Sequence, residues 1–155
     1  MPWLEAKSKK QWLDHAKAFN ELSDQLKAED LFIGYHSHKH DFEKFDGKYS
    51  WDIFCGNTKP AVIAQLDVAN CADGGADPVA ELQKHPGRTR SIHIKPYGAG
   101  PEAVIGEDKL DWKAIFACCE TTGGTDWYVV EHETSKDPLG TAKRSFEALK
   151  NLGKV

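Results

Sequence analysis

Apolar positions recur at three-and-four spacing from about Lys7 to Lys27, where Trp12, His15, Ala16, Phe19, Leu22 and Leu26 fall on one side. That spacing predicts an amphipathic helix. Short apolar runs follow at Leu31-Phe32-Ile33-Gly34-Tyr35-His36 and at Ala61-Val62-Ile63-Ala64-Gln65-Leu66-Asp67. The second is nearly all apolar, as a strand covered on both faces is. Two more runs, Arg90-Ser91-Ile92-His93-Ile94-Lys95 and Asp126-Trp127-Tyr128-Val129-Val130-Glu131, complete a set of four strands. Between them lie helical stretches with their own punctuation. Ser50 can cap a short helix over Trp51-Asp52-Ile53-Phe54 after a Gly-containing turn. Asp77-Pro78 supplies a cap and a first-turn proline for a helix to about Lys84, which Pro86-Gly87 breaks. Leu110 to Thr121 is helical, with Asp108 or Asp111 as cap and Gly123-Gly124 as stop. Asp137-Pro138 opens a last helix from Leu139 to about Asn151.

The order is one leading helix (1–30) and then four strand–helix units (31–155). Parallel neighbours need crossovers, so this alternation predicts an α/β fold with a parallel sheet, in one domain spanning 1–155. A chain of 155 residues is long enough to bury a core unaided. At 40% hydrophobic and 28% charged it has a globular profile, and a net charge of −4 gives no basic field for nucleic acid or an anionic membrane. The Lys7-Ser8-Lys9-Lys10 cluster sits among helix-like residues and reads as a solvated face. No apolar run reaches the roughly 18 residues of a membrane span, and Met1-Pro2-Trp3-Leu4-Glu5 holds no apolar signal core, so a cytoplasmic location is expected. Cys55, Cys71, Cys118 and Cys119 form no CxxC pair and read as free, buried thiols.

The strands are apolar until their C-terminal ends, and each end carries a side chain that can bind a metal. These are His36-Ser37-His38-Lys39-His40, then Asp67, then His93 with Lys95, then Glu131-His132-Glu133. Alone, a strand-end aspartate is ordinarily a turn or cap residue, and a lone histidine is ordinarily a satisfied core residue. Four successive strand ends offering His36, Asp67, His93 and Glu131 make a different case. Ligands of α/β sheets sit at the carboxyl ends of strands, and two imidazoles with two carboxylates suit a divalent cation such as Mn, Mg, Co or Zn. No GxGxxG, phosphate-binding loop or GxSxG elbow competes with that reading.

Gly34-Tyr35-His36-Ser37-His38, Gln65-Leu66-Asp67-Val68-Ala69-Asn70, Gly74-Gly75-Ala76-Asp77-Pro78, Gly87-Arg88, Ser91-Ile92-His93-Ile94-Lys95, Ile105-Gly106-Glu107, Asp111-Trp112 and Tyr128-Val129-Val130-Glu131 come in a telling order. Together they resemble the sugar phosphate isomerase/epimerase family of xylose-isomerase-like TIM barrels, from about Leu31 to Gly153. The resemblance implies an eight-stranded barrel of which this chain is the C-terminal half, strands five to eight, behind a helix like the fourth. It implies one metal on those strands. Asp67, His93 and Glu131 match the ligands of strands six, seven and eight, and Lys95 matches a lysine facing the same pocket. Two positions depart from the family. The fifth-strand glutamate, a ligand and second base in the epimerases, is replaced here by His36, leaving His36 or His38 to ligate. An acidic residue often follows the family lysine, whereas Pro96 follows Lys95.

A cation at these strand ends would polarise a sugar's carbonyl and lower the cost of an enediolate. Glu131 is then the first choice as base, with Glu133 or Glu43 in reserve. Lys95 would donate to the developing oxyanion, and His38 or His40 could serve as acid. Return of the proton elsewhere gives isomerisation or epimerisation of a sugar or sugar phosphate; loss of a leaving group gives a lyase or dehydratase. A complete barrel takes about 250 residues. A four-stranded half has two open edges, which predicts pairing of two copies or with a separate N-terminal half. Trp3, Trp12, Trp51, Trp112 and Trp127 are candidate contact surface for it. The other outcome is a half-barrel fragment that self-associates without catalysis. The barrel endonucleases that cut DNA at abasic sites share the architecture but use more metal ligands than align here.

Overall fold

A computed structural model describes residues 6–155. Trp3 and the N-terminal stretch Met1–Glu5 lie outside the described residues. The leading helix α1 (Lys9–Lys27) starts where Ser8 turns extended and its hydroxyl accepts the Gln11 N–H. Its buried residues, Trp12, Ala16 and Phe19, are three of the six apolar-face positions; Leu22 is 40% exposed. Strand β1 (Gly34–His36) runs to the His36-Ser37-His38 segment, and Lys39–Phe42 forms a 3₁₀ turn. A small antiparallel hairpin, β2 (Lys44–Phe45) with β3 (Lys48–Tyr49), turns at Asp46-Gly47, both at positive φ. That pair of residues is a strong hairpin signal. Helix α2 (Ser50–Asn57) follows at once.

Ser50 does not cap α2. Tyr49 stands at the cap position, and the buried Ser50 hydroxyl instead donates to the Glu43 carbonyl, tying the helix to the hairpin. Strand β4 (Ile63–Gln65) leads into a short helix, α3 (Val68–Asp73), capped by Asp67. Helix α4 (Pro78–Lys84) is capped by Asp77, as the Asp-Pro pair predicts, and strand β5 is Ser91–Ile94. Helix α5 (Trp112–Cys118) takes Asp111 as its cap and relaxes into a π turn over Cys119–Gly123. Gly124, in the left-handed region, ends it at φ 66. Strand β6 (Trp127–Val130) and helix α6 (Pro138–Asn151), capped by Asp137, close the order.

The four long-range strands are parallel. β1 pairs with β4 from Gly34↔Ile63 to His36↔Gln65, and β5 pairs with β6 from Ser91↔Trp127 to Ile94↔Val130. The two pairs join through the parallel bridge Asp67↔His93 and the bond from His93 N–H to the Leu66 carbonyl. The order β1-β4-β5-β6 is therefore a (βα)4 half of a barrel. β1 passes so close to β4 that a Cβ on Gly34 would lie 2.7 Å from the Ile63 carbonyl oxygen.

Alternation divides the sheet into two faces. Tyr35, Ala64, Leu66, Ile92 and Ile94 point into the helical layer and are buried. Tyr35 meets Phe54, Phe19 and Trp12 there, at centroid distances of 5.2, 6.1 and 6.1 Å. Phe116 of α5 packs edge-on against Tyr128 at 5.0 Å. Among the described residues, nothing covers the other face. Trp127 is 70% exposed, Val129 37%, and Phe32, just before β1, 61%. Trp12, Trp51 and Trp112 belong to the helical core, so of the described tryptophans only Trp127 offers contact surface. The described residues include no helix long and apolar enough to cross a membrane.

Candidate metal centre

The uncovered face leads up to the carboxyl rim of the sheet. One donor atom each from His36, Asp67, His93 and Glu131 lies within 4.8 Å of the others. The backbone dictates the convergence. His36 ends β1, Asp67 bridges to His93 of β5, and Glu131 directly follows β6. His36 and His93 stand with ring centroids 4.2 Å apart. His36 Nε2 is 3.9 Å from Asp67 Oδ2, and His93 Nδ1 is 2.5 Å from Glu131 Oε2.

Asp67 does two jobs. Its Oδ1 accepts the Asn70 N–H at 2.7 Å and so caps α3, the ordinary role for a strand-end aspartate. Its Oδ2 is buried with no hydrogen-bond partner, although the side chain is wholly inaccessible. An orphaned carboxylate oxygen is costly to bury. Placed beside two imidazoles and a second carboxylate, it fits a divalent cation in donor chemistry and spacing.

The electrostatics of the rim reflect the same crowding. Burial raises the Asp67 carboxyl to about 6, against the pull of the Asn70 N–H. Burial also lowers His36 to about 4, reinforced by His93 and His38, so this imidazole is neutral and available as a ligand near pH 7. Burial acts to raise Glu131, but the His93 hydrogen bond and the Lys95 charge overcome it and bring the carboxyl to about 2. Lys95 Nζ lies 3.3 Å from Glu131 Oε1 and 2.9 Å from Glu133 Oε2. Burial works against its charge, and the Glu133 hydrogen bond leads the contacts that raise its pKa. Lys95, Glu131 and Glu133 line a hollow of about 130 Å³ between the 96–103 loop and the 131–134 segment.

The remaining candidates sit around this centre. The His38 ring is 4.9 Å from His36, its pKa lowered by burial and by His40. His38 and His40 stack at 5.5 Å and flank Asp41, which is fully buried. Asp41 accepts the His38 N–H at 2.7 Å and the Tyr35 hydroxyl at 3.1 Å. Glu43 lines a separate hollow with Lys39, His40 and Phe42, apart from the one at Lys95. The pattern of apolar positions missed Ser37, Asp41 and Asn70, which hold the rim together. Asn70 reaches Ser37 only through the fold, and Ser37 and Asp41 lie inside the histidine cluster and carried no signal of their own.

A sugar phosphate isomerase/epimerase from Parabacteroides distasonis superposes with a TM-score of 0.84 at 24% identity, over 94% of this chain and 54% of that one. A second from the same organism gives 0.78 at 27% identity, over 97% and 56%. An L-ribulose 3-epimerase gives 0.72 at 18% identity, over 98% and 57%. The chain thus spans about half the length of the structures it matches. Among curated proteins none matches it. Residues 3–152 match the family profile described as xylose isomerase-like TIM barrel, and the chain belongs to that family.

Proposed function

We propose that this chain forms the metal-binding half of a sugar isomerase or epimerase, with His36, Asp67, His93 and Glu131 as ligands. The observation that carries the reading is the buried Asp67 Oδ2, without a hydrogen-bond partner among the described residues, beside three other donors at the rim. The structures it resembles, one of them an L-ribulose 3-epimerase, support a sugar as the substrate class. A divalent cation, Mn, Mg, Co or Zn, would supply Lewis-acid stabilisation of negative charge on the substrate's oxygens. The chain's own residues do the rest. Glu131 is ionised at neutral pH and accepts the proton from the carbon beside the carbonyl. Lys95 keeps its proton and donates a hydrogen bond where oxyanion charge develops. His38, one ring from His36, returns a proton as acid. Where the proton is returned separates isomerisation from epimerisation, and loss of a leaving group instead would make the chain a lyase.

The uncovered face of the sheet bears on the partner. Trp127, Val129 and Phe32 lie where a second half of a barrel would pack, and among the described residues no strand pairs with the outer edges of β1 and β6. Pairing of two copies through these edges is the arrangement we propose for the isolated chain. A non-catalytic fragment that self-associates is the second reading, favoured by the half-length match.

Solvent exchange tests the activity. In D₂O with Mn²⁺, the chain is expected to place deuterium on the carbon next to the carbonyl of a ketose, and EDTA is expected to stop it. If no sugar or sugar phosphate in a broad panel exchanges while the metal stays bound, the non-catalytic reading stands. Light scattering reads the pairing, and a stable monomer would end the edge argument.

A further inference from the structure

Asp67 carries the metal reading, yet aspartate has two rotatable bonds and could turn its oxygens in several directions. Its surroundings remove that freedom. Ser37, the residue after β1, is fully buried, and three of its polar atoms are engaged. Its N–H donates to the Gln65 carbonyl at 3.0 Å, extending the β1–β4 ladder by one step. Its hydroxyl accepts the Asp67 N–H at 2.9 Å. Its carbonyl accepts the Asn70 side-chain amide at 3.2 Å. Asn70 completes the loop, because its own N–H donates to Asp67 Oδ1. The end of β1, the end of β4 and the first turn of α3 are thus laced into one unit whose centre is Asp67.

We infer that Ser37 and Asn70 are positioning residues that lock Asp67 with one oxygen engaged and the other reserved for a cation, before any cation arrives. The inference rests on the metal reading of the same rim. Its physical basis is preorganisation. Groups that orient a ligand from behind remove rotamers it would otherwise lose on binding, and their loss typically weakens metal affinity about 10–100-fold. The geometry also assigns the two residues different shares. Ser37 fixes the Asp67 main chain, whereas the Asn70 amide fixes Ser37 and the start of α3.

The test is Mn²⁺ binding, followed by calorimetry and by the loss of the free-ion spin resonance signal, on the full chain. Asn70→Ala keeps the main-chain bond to Asp67 Oδ1 and removes only the amide bond to Ser37. It is expected to weaken Mn²⁺ about tenfold, with Ser37→Ala weakening it at least as much. In an Asp67→Ala background, Asn70→Ala is expected to change the residual affinity no further, since there is nothing left to position. A general loss of structure would instead weaken both backgrounds alike. Thermal melts of the metal-free variants identify any that fail to fold, and Asn70→Ser serves if Asn70→Ala does. Unchanged Mn²⁺ affinity in a folded Asn70→Ala, with the parent chain binding normally, overturns the clamp and leaves the metal reading intact. Failure of the parent chain to bind Mn²⁺ overturns both.

Discussion

Two groups of histidine and carboxylate in this protein have nearly the same composition and very different chemistry. At the rim, His36, Asp67, His93 and Glu131 converge on the open end of the sheet. Between helices α2 and α4, Asp52, Glu81 and His85 converge just as closely. The helical group carries its own cation: Lys84 Nζ lies 3.1 Å from Asp52 Oδ2 and 2.6 Å from Glu81 Oε1, while His85 Nε2 lies 3.0 Å from Asp52 Oδ1. Glu81 leaves one oxygen without a hydrogen bond, and burial, with the Asp52 charge beside it, raises its pKa towards the neutral acid. At the rim the ammonium of Lys95 is committed to Glu131 and Glu133, and among the described residues no hydrogen bond reaches Asp67 Oδ2, whose ion-pair neighbour is the neutral His36 imidazole at 3.9 Å. Proximity of donors is therefore a poor guide to a metal. What separates the two is whether the chain itself supplies the positive charge.

The sharpest way to break the comparison is to remove two donors from each group. Asp67→Ala with His93→Ala should abolish stoichiometric metal, a loss of more than about a hundredfold in affinity, since even supporting residues cost 10–100-fold. Asp52→Ala with His85→Ala should leave the metal content of the purified protein unchanged. Elemental analysis of both double variants decides it; equal losses would erase the distinction between the two groups.

Stability measurements reverse the ranking. Lys84→Met leaves Asp52 and the buried Glu81 facing each other without a cation, and should cost about 1–2 kcal/mol in urea denaturation, the lower part of the range for an unpaired buried group because Lys84 is partly exposed. At the rim of the metal-free chain, Asp67→Asn removes a buried charge whose second oxygen has no hydrogen-bond partner among the described residues, and should raise stability by up to about 1 kcal/mol. A site held ready for a ligand is strained without it. Should the metal-free Asp67→Asn chain prove markedly less stable than its parent, the orphaned oxygen is better satisfied than the geometry shows.

Much of this was legible in the residues. Each of the four strands was readable from its apolar run, and the four rim donors from the abrupt change of polarity at the strand ends. The caps Asp77, Asp111 and Asp137 act through short-range hydrogen bonds, so local residues determine them; Ser8, read only as part of a solvated lysine cluster, caps α1 in the same way. Helix α3 escaped notice because its six residues are too few to show a helical period, although Asp67 is its cap. The Asp46-Gly47 hairpin has strands of two residues each, too short to alternate. Ser50 failed as a cap because the hairpin brings the Glu43 carbonyl within reach of its hydroxyl, a contact no local pattern contains. The pairing of Ser37 with Asn70 is of the same kind: the two are 33 positions apart and meet only because β1 and β4 are neighbours.

The smallest expected effect concerns acid. Burial works to raise the Asp52 carboxyl, and the hydrogen bonds from His85 and Lys84 overcome it, lowering it to about 2. A carboxylate with a depressed folded pKa binds its proton more readily in the unfolded chain, where the value is about 3.9. Its contribution to stability is therefore complete above about pH 4 and is lost as pH falls towards 2. Asp52→Asn should flatten that part of the acid-unfolding curve while leaving the slope between pH 5 and 8 as it was. Metal affinity at pH 7 should not move, because Asp52 belongs to the group that carries its own lysine. A variant whose curve keeps the parent's slope between pH 4 and 2 would show that His85 and Lys84 do not hold the carboxylate as drawn, and the helical group would then lose its claim to be the self-sufficient member of the pair.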